Sequence, residues 1–239
     1  AFAGASIEWY DFYLYGTAAA LVFPRIFFPE ADPTVALLQS FGSFAAGFLM
    51  RPLGALVFGH FGDKIGRKEM LVITVLLIGA CTFGIGLLPG YETLGVWAVA
   101  LLLTARLVQG FGIGGEFGGG SLVALENAPA GKRGLMGSFH QMGTPAGLLV
   151  STGVFSLVQL LPDEAFFSWG WRVPFLLSGI FVIGAFAIRR SLPETAAFRE
   201  DEAEARTVPV LALLRDGWKS LLLGIGARMT DAVTYNIIN

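Results

Sequence analysis

Ionisable and hydrogen-bonding side chains recur in this chain inside stretches that are otherwise apolar. Glu8 and Asp11 stand three residues apart with Tyr15 a turn beyond, so on a helix they share one face. Arg51 interrupts a second apolar run, and in a later one Arg106, Gln109, Ile113 and Glu116 follow a single helical stripe. An ionisable group at bilayer depth costs about 2.5–3.5 kcal/mol on insertion scales, so each of these is a functional candidate that needs a partner. A carboxylate facing an arginine can exchange that partner for a proton or for an anionic solute, and a guanidinium grips a carboxylate through two parallel hydrogen bonds. At about 1.5 Å per residue, Asp11 and Arg51 come to similar depth and Arg106 to the middle of its run. The spacing therefore predicts an Asp11–Arg51 pair, read either as a fixed ion pair or as a proton-coupling one with Glu8 in reserve. For Arg106 the alternatives are contact with substrate or a coupling acid, and a fixed structural pair. Arg228 and Asp231, in a last apolar run, are the candidates for an opposing wall. No Ser/His/Asp or Cys/His set and no clustered metal ligands occur, so no catalytic residue, metal or cofactor is expected and an enzyme is disfavoured.

The elements that must position these groups are membrane-length segments. The 239 residues are 54% hydrophobic and 14% charged, where soluble domains carry roughly 25% charged residues. Apolar stretches long enough to span a bilayer run over about 3–27, 35–59, 69–89, 94–124, 135–161, 172–190 and 217–239. The acids inside the first stretch, and the spans that follow it, argue against a cleaved signal peptide. Between the sixth and seventh lies the long polar stretch 191–216, read as a connection between two bundles: 1–190 is a six-helix bundle, and 217–239 opens a second. The chain begins without Met and stops inside its seventh span, so it is read as a fragment. Gly110-x-Gly112-x-x-Gly115 matches a dinucleotide fingerprint in form only, because it continues an apolar span where that motif needs a strand before it. Glycines here, and Gly143 and Gly147, instead allow helices to approach closely, while Pro52 and Pro145 are expected to bend spans two and five. Cys81 is a lone cysteine in an apolar run and permits no disulfide within the chain. Trp97, Trp169, Trp171 and Trp218 fall near span ends, where an aromatic belt is expected, and Trp9 sits beside the acids.

Charge placement orients the spans. Lys64, Arg67, Lys68, Lys132 and Arg133, with the basic residues from Arg189 to Lys219, follow even-numbered spans, whereas Arg25 and Arg172 fall on the other face beside acids. The positive-inside rule puts the amino terminus in the cytoplasm of a multi-pass plasma-membrane protein. No basic stripe for nucleic acid is present.

Between spans two and three lies Gly59-His60-Phe61-Gly62-Asp63-Lys64-Ile65-Gly66-Arg67-Lys68. Glycines at 59, 62 and 66 suit a tight reversal between two membrane helices. The pattern resembles the signature loop of the major facilitator superfamily. Ile7-Glu8-Trp9-Tyr10-Asp11, Met50-Arg51-Pro52-Leu53-Gly54, Arg106-x-x-Gln109-Gly110, Gly114-Gly115-Glu116 and Glu126-Asn127-Ala128-Pro129 narrow the resemblance to its metabolite:proton symporter family. That family includes carriers of organic acids, proline and betaine.

The resemblance implies an all-α membrane protein of twelve helices in two bundles, of which this chain supplies the amino-terminal six and helix seven. It implies alternating access with inward proton flow, a small polar organic solute and protons as partners, and a monomer in the bilayer. Substrate binding or proton coupling is then expected among Glu8, Asp11, Arg51, Arg106, Gln109, Glu116, Arg228 and Asp231, with a cytoplasmic gate of Gly59, Asp63, Gly66, Arg67, Lys68, Glu126 and Arg133. The competing readings are an uncoupled facilitator of the same fold and a transporter-like membrane sensor.

Overall fold

The computed structural model describes the backbone of residues 2–126, 128–129, 131–191, 217–220, 222–226 and 229. Within these the side chains of residues 3, 63, 67, 117–126, 133, 140, 185 and 188–191 lie outside the description. The chain divides into two compact units, Ala1–Glu200 and Asp201–Asn239. In the second, residues 218–220, 222–226 and 229 are helical.

The first unit is built of helices: α1 (Phe2–Leu21), α2 (Phe23–Phe27), α3 (Pro33–Ile65), α4 (Arg67–Leu87), α5 (Tyr91–Leu94), α6 (Val96–Glu126), α7 (Arg133–Gln141), α8 (Gly143–Val158), α9 (Asp163–Ala165) and α10 (Arg172–Ser191), with a π-helical turn at Phe166–Gly170. Four stretches are long and apolar enough to cross a membrane: Pro33–Gly62, Lys68–Leu87, Val96–Glu116 and Asp163–Gly184. The other two expected spans appear differently. The first runs as α1 and then α2, broken at Val22, and its acids lower its mean hydropathy. The fifth is divided into α7 and α8 at Met142. Pro145 lies in the first turn of α8, where its missing N–H leaves the carbonyl four residues back without an intrahelical donor, so the break precedes it.

The segment read as a glycine turn departs from expectation in one respect. Helix α3 continues through Gly59 and Gly62 to Ile65, and α4 starts at Arg67. The reversal is confined to Gly66, whose φ of 128° and ψ of 137° are open only to glycine at ordinary cost. Gly59 and Gly62 are helical because backbone hydrogen bonding in an apolar medium favours an uninterrupted ladder over a wider loop. Helix α3 opens with Asp32 as N-cap, accepting from the Thr34 N–H at 3.0 Å, with Pro33 at the first helical position. It also continues through Pro52.

The principal packings are α3 on α6, α1 on α8 and α4 on α10, with α4 also against α6. Glycines set the α3–α6 contact. A Cβ added at Gly110 would run into the backbone carbonyl of Gly47, and one at Gly54 into that of Phe111. Gly147 bears in the same way on the backbone of α1 at Tyr10. The main apolar core gathers Tyr10, Leu14, Phe23, Phe27, Phe155, Trp171 and Phe175. Trp171, expected at a lipid interface, is instead wholly buried there, while Trp97 and Trp169 are exposed. Arg172 closes the end of α4: its Nη1 donates to the carbonyls of Gly86 at 2.9 Å and Leu88 at 2.5 Å, supplying partners that a helix terminus lacks. Between the elements, the Tyr91 hydroxyl donates to Glu30 at 3.1 Å. That bond, together with the Glu30 charge, raises the Tyr91 pKa.

Two glycine substitutions separate close approach from turn geometry. Gly110→Val should destabilise the bundle by about 1–3 kcal/mol through overpacking against α3. Gly59→Ala, where an added Cβ meets nothing within 4 Å, should leave stability unchanged or raise it, as expected of a helical glycine. Melting of the detergent-purified protein measures both, and a destabilised Gly59→Ala would contradict the helical continuation.

Candidate functional site

The burial pattern within α1 and α6 follows the stripes read from sequence. Glu8, Asp11 and Tyr15 are buried, and so are Arg106, Gln109, Ile113 and Glu116. Asp11, Arg106 and Gln109 are at most 2% exposed, so each must satisfy its polar atoms within the bundle.

Asp11 meets Arg106. The Arg106 Nη1 lies 3.5 Å from one Asp11 oxygen and donates to the Gln109 Oε1 at 3.2 Å. The Gln109 Nε2 donates to the other Asp11 oxygen at 3.0 Å and to the Thr82 hydroxyl at 2.8 Å. Thr82 in turn donates to that same Asp11 oxygen, a proton for which the Ile78 carbonyl at 2.9 Å competes. Gln109 thus uses its acceptor on the arginine and both donors on the acid and the threonine. Three helices, α1, α4 and α6, are joined at one carboxylate.

Aromatic rings hold the arginine from behind. Its guanidinium carbon stands 4.3 Å from the Tyr15 ring centroid and 4.8 Å from that of Phe44. Tyr15 is itself tied to α3: its hydroxyl shares a 2.8 Å hydrogen bond with Ser43, which donates to the Ser40 carbonyl at 2.6 Å, while Ser40 donates back to Ala19 of α1 at 2.6 Å. Arg106 therefore has two kinds of support, the Asp11–Gln109 hydrogen-bonding wall and the ring faces.

The remaining candidates are distributed around this centre. Arg51 does not take Asp11 as its ion-pair partner; its guanidinium lies over the Phe48 ring at 4.3 Å and beside Phe12 at 5.8 Å. Charge still couples it to Glu8, Arg106 and Asp11. Equal depth from sequence leaves the direction around the bundle axis open, and α6 rather than α3 points its arginine at Asp11. Glu116 is buried between α6 and α4 and accepts from the Thr74 hydroxyl at 3.1 Å. Cys81 is a free thiol one residue from Thr82. Of the gate group, Gly59 is within α3, Gly66 forms the reversal and Lys68 is in the first turn of α4. The side chains of Asp63, Arg67, Glu126 and Arg133, and the whole of Arg228 and Asp231, lie outside the described residues. Among the described residues no cluster of His, Cys, Asp or Glu could hold a metal ion.

Thr82 is the site residue that sequence reading misses. A threonine in an apolar helix satisfies its own hydroxyl on the carbonyl four residues back, as Thr82 does on Ile78. Nothing in its neighbours along the chain distinguishes it from Thr74 or Thr104. Ser43 is as inconspicuous, donating to the Ser40 carbonyl of its own helix, and the partner of Ser40, the Ala19 carbonyl, is set only by the packing of α1 on α3.

Comparison with known proteins places this geometry in context. The family model described as sugar (and other) transporter matches residues 1–212. The shikimate transporter of Escherichia coli (strain K12) is 46% identical over 243 residues, covering 99% of this chain and 55% of that protein. The inner membrane metabolite transport protein YhjE of the same strain is 51% identical over 225 residues, covering 92% and 51%. The proline/betaine transporter of that strain is 40% identical over 248 residues, covering 98% and 49%. The chain thus spans about half the length of these relatives. Among solved structures, the inward-open xylose transporter XylE from E. coli superposes with a TM-score of 0.72 at 18% identity, over 90% of this chain and 53% of that one.

The junction at Thr82 is directly testable. Thr82→Val keeps the side chain's shape and removes its hydroxyl from Asp11 and Gln109. Stability should fall by about 1–2 kcal/mol, the scale of interhelical hydrogen bonds in membranes, read as a lower unfolding midpoint in detergent. Wild-type stability in this variant would show that the hydroxyl carries no part of the junction.

Proposed function

This chain belongs to the sugar (and other) transporter family and has the major facilitator superfamily fold, and from that premise we propose that the protein carries out proton-coupled symport of a small polar organic solute by alternating access. The family consists of membrane transporters rather than enzymes. The observation that carries the proposal is the buried Asp11–Arg106 pair bridged by Gln109 and Thr82.

A carboxylate and a guanidinium sealed from water neutralise one another. When a proton reaches Asp11 that attraction ends, and Arg106 remains as a positive charge still held by Tyr15 and Phe44. Gln109 and Thr82 both donate to one Asp11 oxygen, which stays an acceptor when the proton is carried by the other oxygen, so these bonds persist in either protonation state. Loading a proton therefore changes the net charge of the centre by one without dismantling it. An anionic or zwitterionic solute is favoured at that moment, which couples solute entry to proton entry. Glu8 and Arg51 are the neighbouring charges that this step would bias, while Glu116, Arg228 and Asp231 stay proposed participants on the resemblance alone.

The solute class is a small organic acid or zwitterionic osmolyte. Buried arginines accompanying buried acids support it, as do the names of relatives that carry shikimate and proline/betaine. We place the protein in the plasma membrane as a monomer, amino terminus inward, on the placement of its Lys and Arg residues and on an inner-membrane relative. The cytoplasmic gate is assigned to Gly59, Asp63, Gly66, Arg67, Lys68, Glu126 and Arg133, with Gly66 as the point where α3 and α4 turn about one another.

Asp11→Asn tests the coupling. The amide cannot carry the transported proton, so in vesicles with an imposed proton gradient accumulation should fall to equal concentrations on the two sides. Exchange of labelled for unlabelled solute should continue, since exchange does not require the proton to be released. Accumulation that persists in Asp11→Asn, and also in Glu8→Gln, would remove the pair from the coupling role and transfer attention to Glu116 or Asp231.

A further inference from the structure

Arg51 has a different environment from Arg106. Its Nε is buried without a hydrogen-bond acceptor, and among the described residues it forms neither a hydrogen bond nor an ion pair. Besides the nearby charges of Glu8 and Asp11, it has aromatic surface: Phe48 at 4.3 Å and Phe12 at 5.8 Å. These rings belong to a larger cluster. Phe12 contacts Trp9 at 5.4 Å, Tyr13 at 5.4 Å, Phe44 at 5.0 Å and Phe48 at 6.0 Å between centroids. Trp9, Phe12, Tyr13 and Arg51 are only partly buried, and Phe48 is 41% exposed. The result is an accessible aromatic shelf on α1 and α3 with one guanidinium along it, whose Nε has no acceptor among the described residues. A side chain with this charge at bilayer depth is costly, and ring faces do not satisfy its buried Nε–H.

We propose that Arg51 is the solute's carboxylate anchor, and that the shelf of Trp9, Phe12 and Phe48 takes a flat or ring-bearing apolar body attached to that carboxylate. This rests on the symport reading and divides its labour: Arg106, occupied by Asp11 and Gln109, serves proton coupling, while Arg51 recognises solute. The guanidinium's fork matches a carboxylate in two parallel hydrogen bonds, and flat rings present faces on which a planar body stacks. A neutral amide of the same shape offers only one acceptor and no charge, so it should be rejected. Specificity then comes from one charged contact beside a tolerant surface, the usual composition of a small-molecule site.

The probe is benzoate, with benzamide as its uncharged isostere, on the intact transporter in detergent without a proton gradient. Benzoate should raise the melting temperature and benzamide should not. In the unmodified protein, benzoate should slow phenylglyoxal modification of Arg51, located by peptide mass spectrometry, which needs no variant to fold. Arg51→Gln should weaken benzoate binding at least ten-fold, and Arg51→Lys less, because it keeps charge but loses the fork. Equal responses to benzoate and benzamide, an Arg51 modification rate indifferent to benzoate, or wild-type benzoate affinity in folded Arg51→Gln would each overturn the proposal and leave Arg51 as a structural cation–π contact. Because these readouts involve no gradient, their failure leaves the accumulation test of Asp11 standing, and failure at Asp11 leaves benzoate recognition standing.

Discussion

A carboxylate and a guanidinium enclosed by apolar helices have no water to turn to, and that requirement organises the centre of this protein. Asp11 and Arg106 satisfy each other's charge, but one ion pair leaves several lone pairs and N–H groups over. Gln109 takes up both sides of that remainder, and Thr82 brings a third helix to the same oxygen. The rings of Tyr15 and Phe44 complete the arginine's surroundings, and the Ser43–Ser40 chain fixes Tyr15 in turn. Each helix that approaches the pair does so carrying a polar group, so the register of α1, α4 and α6 is set by hydrogen-bond geometry as well as by apolar packing.

Such a junction forms only if the backbones come close, and glycine makes that possible. Gly47, Gly54, Gly110 and Gly114 remove side chains where α3 crosses α6, bringing carbonyls to positions that a Cβ would fill. In lipid, close van der Waals packing carries more of the association than the hydrophobic effect can. The main helix pairings also have a symmetry invisible to the eye in the sequence. Taking the spans as α1, α3, α4, α6, α7–α8 and α10, exchanging the first three with the last three maps the α1–α8 packing onto α6–α3 and returns α4–α10 to itself. That is the arrangement produced by two three-helix repeats.

The two arginines near the centre illustrate how surroundings divide the work of one residue type. Arg106 is enclosed, with its partners supplied by the protein; Arg51 is half-buried and backed by rings, with its Nε lacking an acceptor among the described residues. A charge whose partners are internal suits the proposed coupling centre, which would have to reset itself in each cycle. One left with a donor to spare suits the proposed role of meeting a ligand that arrives and leaves. The charges of Glu8, Arg106 and Asp11 act on Arg51, which under the proposed symport gives solute and proton a physical route to influence each other.

By itself the sequence determined that this is an all-helical membrane chain of the superfamily, because span length, scarcity of charge and the Gly59–Lys68 pattern are local properties. It also determined which faces of α1 and α6 turn inward, since helical periodicity places Glu8 with Asp11 and Arg106 with Gln109 and Glu116 without reference to any other element. It could not determine who faces whom. Depth alone favoured Arg51 as the partner of Asp11; the rotation of α6 within the bundle made it Arg106, because partner choice depends on angles about helix axes that one-dimensional spacing does not contain. The reversal at Gly66 and the burial of Trp171 were likewise decided by the competition between continuing a hydrogen-bonded helix and filling the core. Thr82 entered the site only through tertiary structure, since a hydroxyl that can satisfy itself on its own helix gives no sign along the chain of the carboxylate it will meet across the bundle.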